Sequence, residues 1–81
     1  MAEHTVRAPM PGVFYRCPAP TEPPFVEPGA KVTPDSTLGL IEIMKQFAEV
    51  KAGVAGTLRE ILAEDTGLLE PGDPIAVVVT D

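Results

Sequence analysis

Apolar and polar positions alternate, or β-branched residues run together, along this chain in short segments: "HTVRA", "GVFYR", "TLGLIE", "QFAEVKA", "GTLREIL" and "PIAVVVT". A period of two places successive side chains on opposite faces of a strand, so each segment reads as a β-strand with one face in a core. Between them stand "PMPG", "EPG", "TPDS", "GVAG" and "EPGD", made of the residues that turns require. Ten prolines and seven glycines argue against long helices, because an interior proline costs a helix about 3 kcal/mol. The segment "LREILAEDTG" has the composition for a turn or two of helix, but its shortness and the preceding "AGVAG" favour a strand. The pattern predicts an all-β sandwich or barrel.

The chain also repeats itself. "VRAPMPGVFYR" from Val6 matches "VKAGVAGTLRE" from Val50 at an offset of 44. This register pairs Val6 with Val50, Ala8 with Ala52, Gly12 with Gly56 and Phe14 with Leu58. The match resumes at an offset of 37, pairing Val32 with Leu69, Pro34 with Pro71, Leu38 with Ile75 and Ile41 with Val78. Aligning the two "EPG" triplets instead would run the second half off the C-terminus before its last strand was complete. The fall in offset leaves seven extra residues in the first half, between Phe14 and Phe25. Pro18, Pro20, Pro23 and Pro24 lie there, so the insertion is a stiff projection rather than a strand.

Two such halves of four strands each predict a pseudo-twofold axis, with the strands of each half completing the other's sheet over a shared core. The link between halves is then a turn at about Ile43 to Gln46. Lys45, the single lysine of "LIEIMKQFAEV", falls at its tip with Met44 beside it. An apolar side chain normally avoids such a tip, and this points to contact with a partner.

Length and charge narrow the function. The 81 residues suffice for one domain, spanning 1–81, and leave little room for an internal active-site cavity. Twelve acidic against six basic residues give a net charge of −6, which disfavours a nucleic-acid partner. No apolar stretch is long enough for a membrane span, and a soluble, cytoplasmic protein is expected. Cys17 is the single cysteine; it can form no internal disulfide, and no histidine is placed to activate it. No metal-binding spacing is present. His4 lies near a terminus expected to fray and is assigned no role.

The segment "EIMKQ" resembles the Glu-Ala-Met-Lys-Met signature of biotinyl domains, and "APMPGVFYR", "AGVAGTLREIL" and "EPGDPIAVV" stand at that family's spacing over the whole chain. The insertion between Arg16 and Phe25 resembles the "thumb" of the biotin carboxyl carrier protein of bacterial acetyl-CoA carboxylase. The resemblance implies a flattened β-barrel (barrel-sandwich hybrid) of two four-stranded antiparallel sheets. It also implies biotin joined as an amide to Lys45 by a biotin protein ligase. A biotin carboxylase and a carboxyltransferase would be the further partners, and the domain itself a carrier rather than an enzyme. Met44, Glu42 and Gln46 surround the attachment point, and Cys17, Pro18, Ala19, Pro20 and Thr21 form the thumb.

The sequence departs from the signature where Ile43 replaces alanine and Gln46 replaces the second methionine. A lipoyl carrier is similar but typically has aspartate directly before the lysine, where this chain has Met44. An unmodified barrel-sandwich adaptor is the alternative from another class.

Overall fold

The computed structural model describes residues 2–19 and 21–80. Pro20, one of the expected thumb residues, lies outside them. Eight strands follow in order: β1 (Ala2–Arg7), β2 (Gly12–Tyr15), β3 (Lys31–Val32), β4 (Thr37–Ile43), β5 (Gln46–Lys51), β6 (Gly56–Ile61), β7 (Leu68–Leu69) and β8 (Pro74–Thr80). Six coincide with the segments that alternation or a β-branched run marks in the sequence. The other two, β3 and β7, are two residues each, too short to carry a readable period.

The strands form two four-stranded antiparallel sheets, ordered β1-β8-β6-β3 and β5-β4-β2-β7. Exchanging each strand for its counterpart in the other half turns one order into the other. Each sheet takes two strands from each half, as the repeat predicts, and the pair packs as a flattened sandwich. The molecule measures 37 × 27 × 19 Å along its principal axes.

The core carries the same symmetry. Its largest fully buried side chains are Phe14, Leu38, Ile41, Leu58, Ile75 and Val78. They are three repeat pairs: Phe14 with Leu58, Leu38 with Ile75, and Ile41 with Val78. Burial of each contributes about 1.5–3 kcal/mol. Turn hydrogen bonds are duplicated as well. Phe14 N–H donates to Gly67 C=O at 2.9 Å and Leu58 N–H to Ala30 C=O at 2.8 Å, while the Thr33 and Glu70 N–H groups donate to Ser36 Oγ and Asp73 Oδ2, each at 2.9 Å. These pairs fix the second register at 37 and exclude the "EPG" alignment. His4 does not fray: it pairs with Val78 within β1.

Gly12 and Gly56 are a repeat pair that allows close strand approach. A Cβ on Gly12 would meet Ile41 Cγ2 at 2.5 Å and Glu42 O at 2.6 Å, and one on Gly56 would strike the Val79 carbonyl. Glu42 and Val79 are themselves repeat partners. Gly12→Ala and Gly56→Ala are each expected to lower the unfolding free energy by about 1–3 kcal/mol, the usual range for overpacking. Urea denaturation measures this, and an alanine variant as stable as the parent would show that the strands separate there without cost.

Candidate functional site

The hairpin that joins the halves is tighter than expected. Pairing between β4 and β5 extends to Ile43 and Gln46, leaving Met44 and Lys45 as a two-residue turn. Met44 has φ 51° and Lys45 φ 65°, the positive values that both central positions of a type I′ hairpin turn adopt. Such turns favour Asn-Gly, and an L-residue in this region costs about 1–2 kcal/mol. Cross-strand bonds over the whole of β5 hold the strained pair in place. Lys45 is exposed and Met44 is 90% exposed. Among the described residues the Lys45 amine has no hydrogen bond or ion pair.

Alternation along β4 turns Gly39 and Ile41 inward and Leu40 and Glu42 outward. Register then sets Tyr15 beside Leu40 and Phe47 beside Glu42. The Tyr15 and Phe47 rings lie 6.3 Å apart at an interplanar angle of 53°, an aromatic contact worth about 0.5–1.5 kcal/mol beyond burial. Phe47 is nevertheless 59% exposed. The repeat supplies an internal control, because the counterparts of Tyr15 and Phe47 on the other sheet are Arg59 and Glu3. Those two form a surface ion pair. The fold therefore accepts polar residues at these positions, and aromatic ones occur only on the sheet that carries Lys45.

The proline-rich insertion leaves β2 at Arg16 and returns at Phe25, whose N–H donates to the Arg16 carbonyl at 2.9 Å. The Arg16 N–H donates to Asp65 Oδ1, also at 2.9 Å. Both sides of the residue at the base of the projection are thus held. Glu22 N–H closes the tip on Ala19 C=O at 3.0 Å. Between the projection and the outer sheet face lies an open cleft of about 470 Å³, lined by Tyr15, Cys17, Pro18, Ala19, Leu40, Phe47, Asp65 and Thr66. It is a surface feature, with the insertion as one of its walls.

The structure brings together part of the site expected from sequence. Cys17, Pro18 and Ala19 line the cleft, whereas Thr21 is exposed and does not. Gln46 is exposed beside the turn, and Glu42 is half-buried with its Oε1 accepting the Tyr15 hydroxyl at 2.9 Å. Sequence reading missed Tyr15, Leu40, Phe47, Asp65 and Thr66. Tyr15 and Phe47 were detectable, since each stands out of phase with the core residue of its strand, whereas Leu40 is in phase with buried Leu38 and faces outward only because the register shifts between Thr37 and Gly39. Asp65 and Thr66 reach the cleft only through the register of the turn against β2.

The bond to Glu42 raises the Tyr15 phenol above its ordinary value near 10; partial burial and the negative charges of Glu42 and Asp65 add to the effect. A raised folded-state pKa stabilises the fold fully below the unfolded value, and this contribution is lost as pH rises through the folded value. Tyr15 is the single tyrosine and there is no tryptophan, so phenolate absorbance reports this group alone. The titration is expected above pH 10 and should move back toward the ordinary value in Glu42→Gln. An unshifted Glu42→Gln titration would remove Glu42 as the cause.

Over residues 4–78 the chain matches the biotin/lipoyl family, described as biotin-requiring enzymes. It is 43% identical over 74 residues to the biotin carboxyl carrier protein of acetyl-CoA carboxylase 1, chloroplastic, of Arabidopsis thaliana, covering 91% of this chain and 26% of that protein. It is 37% identical over 78 residues to the biotin carboxyl carrier protein of acetyl-CoA carboxylase of Haemophilus influenzae, covering 96% and 50% respectively. The chain thus spans a quarter to a half of these relatives' lengths. Among solved structures, Kluyveromyces lactis urea carboxylase matches with a TM-score of 0.79 and 25% identity, over 98% of this chain and 6% of that one. A single-chain, multi-domain long-chain acyl-CoA carboxylase shares the fold, with a TM-score of 0.78 at 22% identity over 98% of this chain and 7% of its own. By its match over nearly the whole sequence, the chain belongs to the biotin/lipoyl family of biotin-requiring enzymes.

Proposed function

We propose that residues 1–81 form one biotinyl domain that acts as a biotin carboxyl carrier, with Lys45 as the attachment point. The observation that carries this reading is the exposed Lys45 amine on a strained two-residue turn, two residues from an aromatic wall of the cleft. The residues fit the cofactor: a free amine can take the amide bond, and an apolar cleft beside it can receive a bicyclic ring. When attached, biotin supplies a ureido nitrogen that accepts a carboxyl group at one active site and yields it at another.

The domain's own residues present, hold and shield. The closed turn fixes the direction of the Lys45 stem, and the stem gives reach, so a tethered ring is offered to each partner at high effective concentration. Tyr15, Leu40 and Phe47 offer a floor that excludes water, and the thumb residues Cys17 to Ala19 limit motion from one side. Met44, exposed beside the lysine, offers an apolar contact to a partner. The ligase supplies the base for attachment, since a lysine amine is largely protonated near neutral pH and Glu42 is engaged with Tyr15. Biotin carboxylase and carboxyltransferase, in the manner of acetyl-CoA carboxylase, are the partners this role requires, and they carry the catalysis. Met44 and the thumb favour biotin over lipoate, and the strained lysine turn disfavours a plain adaptor.

Co-expression with a biotin ligase, followed by intact mass and avidin capture, tests the assignment. The parent is expected to gain one biotin on Lys45, taking the net charge from −6 to about −7 by neutralising one amine. Lys45→Arg should gain none while its stability stays within about 0.5 kcal/mol, as is usual for an exposed position. Biotin on the arginine variant would overturn the reading, and lipoate on Lys45 would favour the sister carrier type.

Met44→Asp separates folding from recognition. Aspartate tolerates the left-handed region better than methionine, so the urea midpoint should hold or rise. Biotinylation by the ligase is expected to slow roughly tenfold, equivalent to about 1.4 kcal/mol of lost partner contact. An unchanged rate would remove Met44 from the recognised surface.

A further inference from the structure

The cleft has a third wall whose make-up the fold does not require. The turn Glu64-Asp65-Thr66-Gly67 is the repeat counterpart of Glu27-Pro28-Gly29-Ala30, and the two are closed by the same backbone bonds. Gly67 N–H donates to Glu64 C=O at 2.9 Å and Ala30 N–H to Glu27 C=O at 3.0 Å, while Thr66 N–H reaches Phe14 C=O at 2.6 Å and Gly29 N–H reaches Leu58 C=O at 2.7 Å. The backbone is left-handed at both third positions, with φ 96° at Gly29 and 64° at Thr66. Glycine suits that conformation, whereas a β-branched residue there is a steric outlier. A Cβ built on Gly29 would have nothing within 4 Å, so in the first half a side chain at this position would add no packing. In the second half Thr66 keeps its side chain despite the strain, and that residue lines the cleft.

Asp65 differs from its counterpart in the same direction. Pro28 has no polar side chain, but Asp65 Oδ1 accepts the Arg16 N–H at the base of the thumb at 2.9 Å. Its second oxygen has no hydrogen bond among the described residues. The Thr66 hydroxyl donates to the Asp65 carbonyl at 2.5 Å, which leaves its lone pairs to accept. This wall therefore presents acceptors, with no free donor on either side chain. A cyclic urea has an edge of N–H donors that such a wall complements.

We propose that Asp65 and Thr66 form a binding wall for the N–H edge of the tethered ring, with Asp65 also positioning the base of the thumb that lines the same cleft. The inference rests on the Lys45–biotin reading and adds to it the side chains that orient the ring.

The experiment uses the biotinylated 81-residue chain, with intact mass establishing biotin on Lys45 and NMR following solvent exchange of the two ring N–H protons. Exchange is expected to be slower than in a short biotinylated peptide. It should accelerate about fivefold in Thr66→Gly and in Asp65→Asn, the factor that one ordinary hydrogen bond gives. Thr66→Ser keeps the hydroxyl and should restore slow exchange. Thr66→Gly should also raise the urea midpoint, because the strain is relieved. Ring exchange unchanged in both Thr66→Gly and Asp65→Asn, with the biotin mass present, overturns this inference alone, as does loss of stability in Thr66→Gly, which would make the side chain a folding element. Absence of biotin mass on Lys45 overturns the underlying assignment and this inference with it.

Discussion

The interleaving of the two halves is the constraint on which the rest of this molecule depends. Neither half owns a sheet: β1 and β3 are hydrogen-bonded only to strands of the second half, and β5 and β7 only to strands of the first. The core is correspondingly shared, with each repeat pair contributing one residue from either side of the chain's midpoint. An isolated half would have unpaired strand edges and half a core, so the halves must form together. The chain crosses between them once, at Met44-Lys45, and the hairpin that makes this crossing lies within one sheet. A turn so placed cannot move without opening β4 from β5. That rigidity fixes where the Lys45 side chain leaves the sheet.

Symmetry shows which features the fold needs and which were added to it. Core residues, turn bonds and the close-approach glycines Gly12 and Gly56 recur in both halves, and their roles are structural. The departures gather in one place. The projection is found in one half, aromatic residues replace an ion pair on one sheet face, and a threonine stands in one of two equivalent left-handed positions. All three border the cleft beside the lysine turn.

Backbone strain follows the same geography. Met44, Lys45 and Thr66 are the non-glycine residues with positive φ among those described, and each lies at the turn or in the cleft. Strain of this kind costs about 1–3 kcal/mol per residue and persists where surrounding structure over-determines it. Here the over-determining structure is the β4–β5 ladder for two of them and the pairing of the 64–67 turn with β2 for the third.

The sequence by itself determined the sheet class, six of the strands, the two-half architecture, the core residues that alternate within it, and Lys45 as the presented amine. Those properties depend on local periodicity and on a repeat, and both are written along the chain. Tertiary structure alone decided the rest. The strands β3 and β7 are too short for a period and exist because neighbouring edges need partners. Glu42 accepts the Tyr15 hydroxyl because strand register sets them on one outer face, 27 residues apart in sequence. Thr21 fell outside the cleft and Asp65 and Thr66 inside it, since a cleft between a loop and a sheet is defined by how the projection is anchored. That anchor joins Arg16 to Asp65, residues separated by 49 positions, and no pattern local to either one encodes the contact.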